Sequence, residues 1–305
     1  MSRQCGHFGD MLITRVRALG HPLCIGLDPH LDPVPPLFRR GSMTPRDPQT
    51  AAAVEEFLLA VLERIAGKVA VVKPQIAFFE QLGWRGTQVL ETVVTRAQER
   101  GLLVLLDAKR GDIGSTAEGY ARAYLDPNGG LPVNALTVNP YMGRDTLEPY
   151  IRNAEQYGRG VFVLVKTSNA GSGDYQDRDT EGMPLYEVVA GSLHEIAARL
   201  TGPQTGWSSL GLVVGATYPE QAVRVRALLP RALFLIPGYG TQGGSSAGAV
   251  RNFVRGPNGL EGGVVSSSRS TLFPPDAHTT NATVWERAFD AGVEAAIADL
   301  RQAVA

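Results

Sequence analysis

The chain has 305 residues, 44% of them hydrophobic, and Lys+Arg 29 against Asp+Glu 30 gives a formal net charge of -1. That length supports a large buried core, and the balanced charge excludes a global basic field for nucleic acid or an anionic membrane, so an anionic ligand has to be caught locally. Cys5 and Cys24 are too few for a disulfide framework and lack metal-ligand spacing, and no window resembles a membrane span or an export signal, so a cytoplasmic protein is expected.

In chain order, short apolar runs bounded by Gly, Pro, Asn or Asp predict eight strands: residues 23–28, 69–75, 102–109, 135–139, 161–168, 210–216, 233–238 and 262–268. Stretches with helical spacing lie between them, among them "AAAVEEFLLAVLERIAG", "TQVLETVVTRAQERG" and "PEQAVRVRALL", and "VWERAFDAGVEAAIADLRQAVA" closes the chain. Continuous apolar strands alternating with helices imply a parallel sheet covered on its outer face. Eight βα units predict an α/β fold of (β/α)₈ TIM-barrel type, with an open doubly wound sheet as the rival. No linker or low-complexity tract divides residues 1–305, so a single catalytic domain is expected. Two segments depart from the repeat, a proline-rich loop at 30–50 and a polar loop at 169–184, and long loops of this kind are usually lids or disordered excursions.

Chemistry in such a barrel sits at the C-terminal strand ends, and charge collects there. Asp28 ends the first strand, Lys73 lies near the end of the second, and "DAKRGD" (107–112) ends the third. Positions two apart share a face of a strand, so Asp107 and Lys109 point together into the barrel mouth. The plain alternatives are a structural ion pair for these two and a helix cap for Asp112, although Ser115 with Glu118 forms a capping box that would serve that helix alone. Two carboxylates about 4 Å apart repel by roughly 4 kcal/mol at an effective dielectric of about 20, so interleaved ammonium groups are needed to hold them together. After the seventh strand comes "PGYGTQGG" (237–244) and after the eighth "SSSRS" (266–270), the places where glycine amides and a planar cation, Arg269, would hold a phosphate. The five histidines show no ligand spacing, and no dinucleotide motif follows an early strand, so neither metal nor cofactor is expected.

"DAKRGDIGSTA" resembles the signature of orotidine 5′-phosphate decarboxylases, and "GLDP", "KPQIAFFE", "VKTSN", "PGYGTQGG" and "SSSRS" resemble that family's other strand ends in order, in the form of its longer bacterial branch. The resemblance runs from about residue 23 to 270. It implies cofactor-independent decarboxylation of orotidine 5′-monophosphate to uridine 5′-monophosphate in pyrimidine biosynthesis. By position, Lys73, Asp107, Lys109 and Asp112 would form an alternating charge network in which Lys109 protonates C6. Asp28 and Lys73 would hold ribose hydroxyls and Ser168 the pyrimidine, while Gln242, Gly243, Gly244 and Arg269 would grip the 5′-phosphate. Asp112 and Thr116 would reach into the partner's site of a homodimer, and the glycine loop would be mobile when empty. The Asp-x-Lys-x-x-Asp core is shared with magnesium-dependent keto-sugar-phosphate enzymes of the same superfamily, but Lys73 stands where those carry an acidic ligand. A Schiff-base aldolase using Lys166 or Lys73, and a non-catalytic nucleotide-phosphate binding barrel, are the remaining alternatives.

Overall fold

A computed structural model describes residues 6–240 and 243–305. The apolar runs form eight parallel strands: β1 (Leu23–Leu27), β2 (Val71–Pro74), β3 (Leu103–Arg110), β4 (Ala135–Val138), β5 (Gly160–Lys166), β6 (Leu210–Val214), β7 (Leu233–Ile236) and β8 (Gly263–Ser267). Each pairs with its neighbours in the chain, and β8 returns to β1 with Leu23 opposite Val265, closing a (β/α)₈ TIM barrel. The helices are α1 (Phe8–Leu19), α2 (Pro48–Ile65), α3 (Gly83–Glu99), α4 (Gly114–Leu125), α5 (Glu148–Tyr157), α6 (Leu185–Ser192), α7 (Pro219–Leu228) and α8 (Ala282–Val304). Their apolar faces and the outward residues of the strands make one continuous core. Start signals are locally encoded: Asp47 accepts the Gln49 amide with Pro48 opening α2, and Asn281 accepts the Val284 amide at the head of α8. Among the described residues, no helix is long and apolar enough to cross a membrane.

Two features differ from the expected repeat. The amphipathic N-terminal stretch is a helix, α1, and it stops the N-terminal end of the barrel: Phe8, Leu12 and Ile13 are fully buried against inward residues of the strands. Between β7 and β8 the expected helix shrinks to one turn, Ser246–Ala249, followed by a hairpin of Val254–Gly256 with Gly259–Glu261. The small, glycine-rich composition there supplies too little apolar surface for a longer helix. A third difference is local: α4 begins at Gly114, so Ser115 lies inside the helix and the expected capping box does not form.

The interior is filled rather than hollow. Phe162 of β5 lies across the barrel axis, edge-on to Phe8 at 5.9 Å, and glycine makes the room for it. An added Cβ at Gly211 would come within 2.2 Å of the Phe162 ring, and one at Gly160 within 2.5 Å of Phe8. Below this layer α1 seals the far end; above it the inward side chains of β2 and β3 turn polar, while Leu164, Val213 and Leu235 stay apolar.

Both insertions are folded. In the first, Val34, Phe38 and Met43 are buried, and Phe38 meets Phe57 and Trp285 at 5.4 and 4.8 Å. The second carries a helical turn, Gly173–Gln176, and a short hairpin of Asp179–Thr180 with Met183–Pro184. It is anchored by Lys166, which is completely buried, donates to Ser172 at 3.0 Å and to Asp177 at 2.7 Å, and lies over the Tyr218 ring.

Candidate active site

A cavity of about 630 Å³ opens at the C-terminal end of the barrel, and it is lined by Asp28, Lys73, Asp107 and Lys109 together with Ser168 and Arg269. Its floor is apolar, formed by Leu164, Val213 and Leu235. The strand ends thus bring together six of the residues singled out from the sequence, drawn from β1, β2, β3, β5 and β8 and the turns that follow them.

Asp107 is the centre of the charged group. One oxygen, Oδ1, accepts the Lys109 ammonium at 2.7 Å and the Thr137 hydroxyl at 2.9 Å; the other, Oδ2, accepts Lys73 at 3.2 Å and the Gln75 amide at 3.0 Å. Burial alone would raise the Asp107 pKa, but Lys73 and Lys109 beside it and the hydrogen bonds they make bring it down to about 2. Lys73 is also buried, which works against its charge, yet Asp28 at 3.7 Å and Asp107 raise its pKa above the usual lysine value. The group is therefore a fixed alternation of acid and base, in which the two carboxylates are bridged by an ammonium. Lys109 differs from Lys73 in being open to the cavity: its side chain is 43% exposed.

Asp28 Oδ1 is buried yet has no hydrogen-bond partner, which leaves an acceptor turned toward the site. Ser168 sits close to β6 because Gly215 has no side chain; a Cβ there would be 2.7 Å from Ser168 Cα. Arg269 opens a one-turn helix after β8 and, among the described residues, pairs with no carboxylate. It shares the mouth with His30, whose ring lies tilted against Phe78 at 4.3 Å.

Other expected site residues lie elsewhere. Asp112 is outside the cavity, its Oδ1 accepting the Ile113 amide at 2.8 Å, and Thr116 is exposed on the first turn of α4. Near them stand three exposed apolar side chains, Ile113 (63%), Tyr141 (85%) and Met142 (43%). Gly243 and Gly244 do not line the cavity: their amides close the loop on itself, donating to Gly240 and Gly238 at 2.9 and 3.1 Å. Gln242 lies outside the described residues. Lys166, one of the amines considered for Schiff-base chemistry, is turned away into the second insertion, and Lys73, the other, is held between two carboxylates as an ammonium rather than a free amine.

Reading the sequence missed Gln75, Thr137 and His30. Gln75 shares the inward face of its strand with Lys73, a parity that could have found it. Thr137 shares its face with Ala135 in the same way, but nothing distinguishes it from an ordinary β-branched strand residue until its partner strand is known. His30 carries no such signal.

The family model described as "Orotidine 5′-phosphate decarboxylase / HUMPS family" matches residues 21–269. A relative of that name from Rhodopirellula baltica is 43% identical over 274 residues, covering 87% of this chain and 88% of the relative, and one from Caldicellulosiruptor bescii is 36% identical over 280 residues, covering 88% and 90%. Among solved structures, the Leishmania donovani OMP decarboxylase aligns at a TM-score of 0.73 with 32% identity, over 98% of this chain and 100% of the other. The strand ends that carry the charged group fall inside the matched region, and with it the chain belongs to the orotidine 5′-phosphate decarboxylase family.

Proposed function

We propose that this chain decarboxylates orotidine 5′-monophosphate to uridine 5′-monophosphate, a step of pyrimidine biosynthesis, and that Lys109 delivers the proton to C6 without help from a cofactor. The family and its relatives support the reaction; the observation that carries the residue assignment is the four-donor cradle of Asp107, with Lys109 at its open edge. When the bond from C6 to the carboxylate breaks, its electron pair stays on a ring carbon with no adjacent sink, and carbon dioxide leaves. An ammonium already fixed beside that carbon stabilises the developing charge without reorganising, then transfers its proton to form the C6–H bond. Lys109, left neutral, regains a proton from solvent through its exposed side. Asp107 keeps the ammonium aimed and charged.

The remaining contacts follow the shape of the nucleotide. The unpartnered Asp28 oxygen and Lys73 suit ribose hydroxyls, and Ser168 suits the pyrimidine edge. Arg269, with Gln242, Gly243 and Gly244, suits the 5′-phosphate at the mouth, and binding there would draw the glycine loop into a different set of hydrogen bonds. The exposed apolar trio beside Asp112 supports a homodimer in which Asp112 and Thr116 complete the partner's site. The whole chain would act as one catalytic domain, and the single described cysteine, Cys24, buried and unpaired, suits the cytoplasm. The magnesium-dependent sugar-phosphate reading is disfavoured because the Lys73 ammonium occupies the space between Asp28 and Asp107 where a divalent cation would need both carboxylates.

Loss of pyrimidine absorbance on mixing chelator-treated protein with orotidine 5′-monophosphate tests the reading, with Lys109→Ala alongside. Turnover by the wild type and none by the variant is expected. An inert wild type, or one active only on a sugar phosphate with added magnesium, would overturn the substrate assignment.

A further inference from the structure

The strongest unassigned feature lies in the wall of the cavity, where β3 and β4 lose register. Leu105 and Leu106 pair with Ala135 and Leu136, but the next partner of Val138 is Arg110, so Asp107, Ala108 and Lys109 face Thr137 alone. The ladder cannot satisfy three residues with one, and the bulge leaves two amides seeking acceptors. Both find the same atom: the Ala108 and Lys109 amides donate to Thr137 Oγ1 at 3.0 and 2.8 Å. Lys109 itself has a φ of 46°, the left-handed region that side chains other than glycine rarely adopt, so this bulge needs holding.

A hydroxyl has two acceptor positions and one proton. In Thr137 both acceptor positions are taken by backbone amides, and the proton has one remaining partner, Asp107 Oδ1 at 2.9 Å. The direction of that bond is therefore fixed by count, with Thr137 the donor and Asp107 the acceptor. Lys109 donates to the same oxygen, so a single side chain on β4 sets the backbone of the lysine, orients its carboxylate partner and makes that carboxylate an obligate acceptor. Thr137 is fully buried and does not line the cavity, so it has no route to a substrate of its own.

We infer that Thr137 is a positioning residue for decarboxylation, locking the left-handed bulge that points the Lys109 ammonium at C6. This rests on the assignment of Lys109 as proton donor. The inference separates the two halves of a kinetic constant. Phosphate, ribose and pyrimidine are gripped by other strands, so substrate affinity should survive loss of the hydroxyl while turnover falls.

The test measures kcat and KM on orotidine 5′-monophosphate for wild type, Thr137→Val and Thr137→Ser, with melting temperatures to establish folding. Valine keeps the shape and removes the hydroxyl; serine keeps the hydroxyl. For Thr137→Val, kcat is expected to fall about 10²-fold with KM within about threefold of wild type, and Thr137→Ser should recover most of the lost turnover. If Thr137→Val does not fold, Thr137→Cys replaces it, since a thiol fills the space but is a weak donor and acceptor, and the same thresholds apply. A folded hydroxyl-free variant with near wild-type kcat, a loss confined to KM, or failure of serine to recover turnover would overturn the positioning role. An inert wild type would instead overturn the decarboxylase reading, so the two failures are distinguishable.

Discussion

Lys109 and Asp107 belong to one strand, two residues apart, and their side chains meet at 2.7 Å over a backbone that turns left-handed at Lys109. The proximity is thus made locally, by a bulge, and the pair would survive small movements of the rest of the barrel. What it does not survive is loss of the carboxylate.

Asp107→Asn leaves Lys73 and Lys109 facing a neutral amide. Lys73 would keep only Asp28, at 3.7 Å, as a counter-charge. Breaking a buried pair on one side costs about 3–5 kcal/mol, and losing one preorganised charge at the reacting centre is expected to lower kcat by about 10²–10³. Urea unfolding and steady-state kinetics on the same preparation check both numbers; an Asn variant as stable as wild type would show that the cluster is not mutually compensated.

The acid side of the stability curve should carry the Asp107 signature. Its pKa is depressed, from an ordinary 3.8 to about 2, so the stabilisation it gives is present above about pH 4 and is lost as the pH falls through about 2. At about 1.4 kcal/mol per unit this is about 2 kcal/mol. Lys73 works in the opposite sense: its raised pKa contributes stability below the usual lysine range, and that contribution disappears only in strong alkali. Unfolding free energies of wild type and Asp107→Asn measured from pH 5 downward should converge; parallel curves would assign the acid slope to other carboxylates.

Gly211 should tolerate no side chain. Its Cβ would collide with Phe162, so Gly211→Ala is expected to cost about 1–3 kcal/mol through overpacking. Combining it with Phe162→Leu should cost less than the sum of the two single changes, because the smaller ring position relieves the clash. Calorimetric unfolding of the three variants reads this directly, and strict additivity would mean that the two positions do not share the space.

Complementation tests the proposed exchange of Asp112. Lys109→Ala and Asp112→Asn should each be inactive alone. Mixed in equal amounts and allowed to exchange subunits, half the dimers become hybrids with one intact site, so about a quarter of wild-type activity should appear. If no activity returns while light scattering shows exchanged dimers, Asp112 serves its own subunit or none.

Much of the architecture was legible because parallel strands covered by helices read as unbroken apolar runs. The period of two led to the right pair, Asp107 and Lys109, but the two meet through a left-handed bulge at Lys109 rather than through regular alternation. A helical period held the signal for α1: Phe8, Leu12, Ile13 and Val16 lie on one helical face, and all are buried. The helix expected between β7 and β8 was over-read because a stretch between two strands was assumed to be helical although its small residues offer little apolar surface. Thr137 escaped for a different reason. Its role depends on a slip in register between β3 and β4, and a slip belongs to two strands together, so neither "LLVLLDAK" nor "ALTVN" contains it. The expected cap of α4, Ser115, lies two residues past the observed one, Ile113, within the ordinary margin by which helix ends move when tertiary contacts choose among adjacent starts.

Because α1 stops the far end of the barrel, the described residues leave the cavity open only at the C-terminal strand ends. In the proposed reaction, carbon dioxide formed above Leu164, Val213 and Leu235 would leave along the path by which the nucleotide enters, past Arg269 at the mouth. The gas is small and uncharged and would meet only the apolar floor, whereas the nucleotide, in the proposed pose, would be held at both ends. On the proposed reading, departure would be ordered by grip, gas before nucleotide.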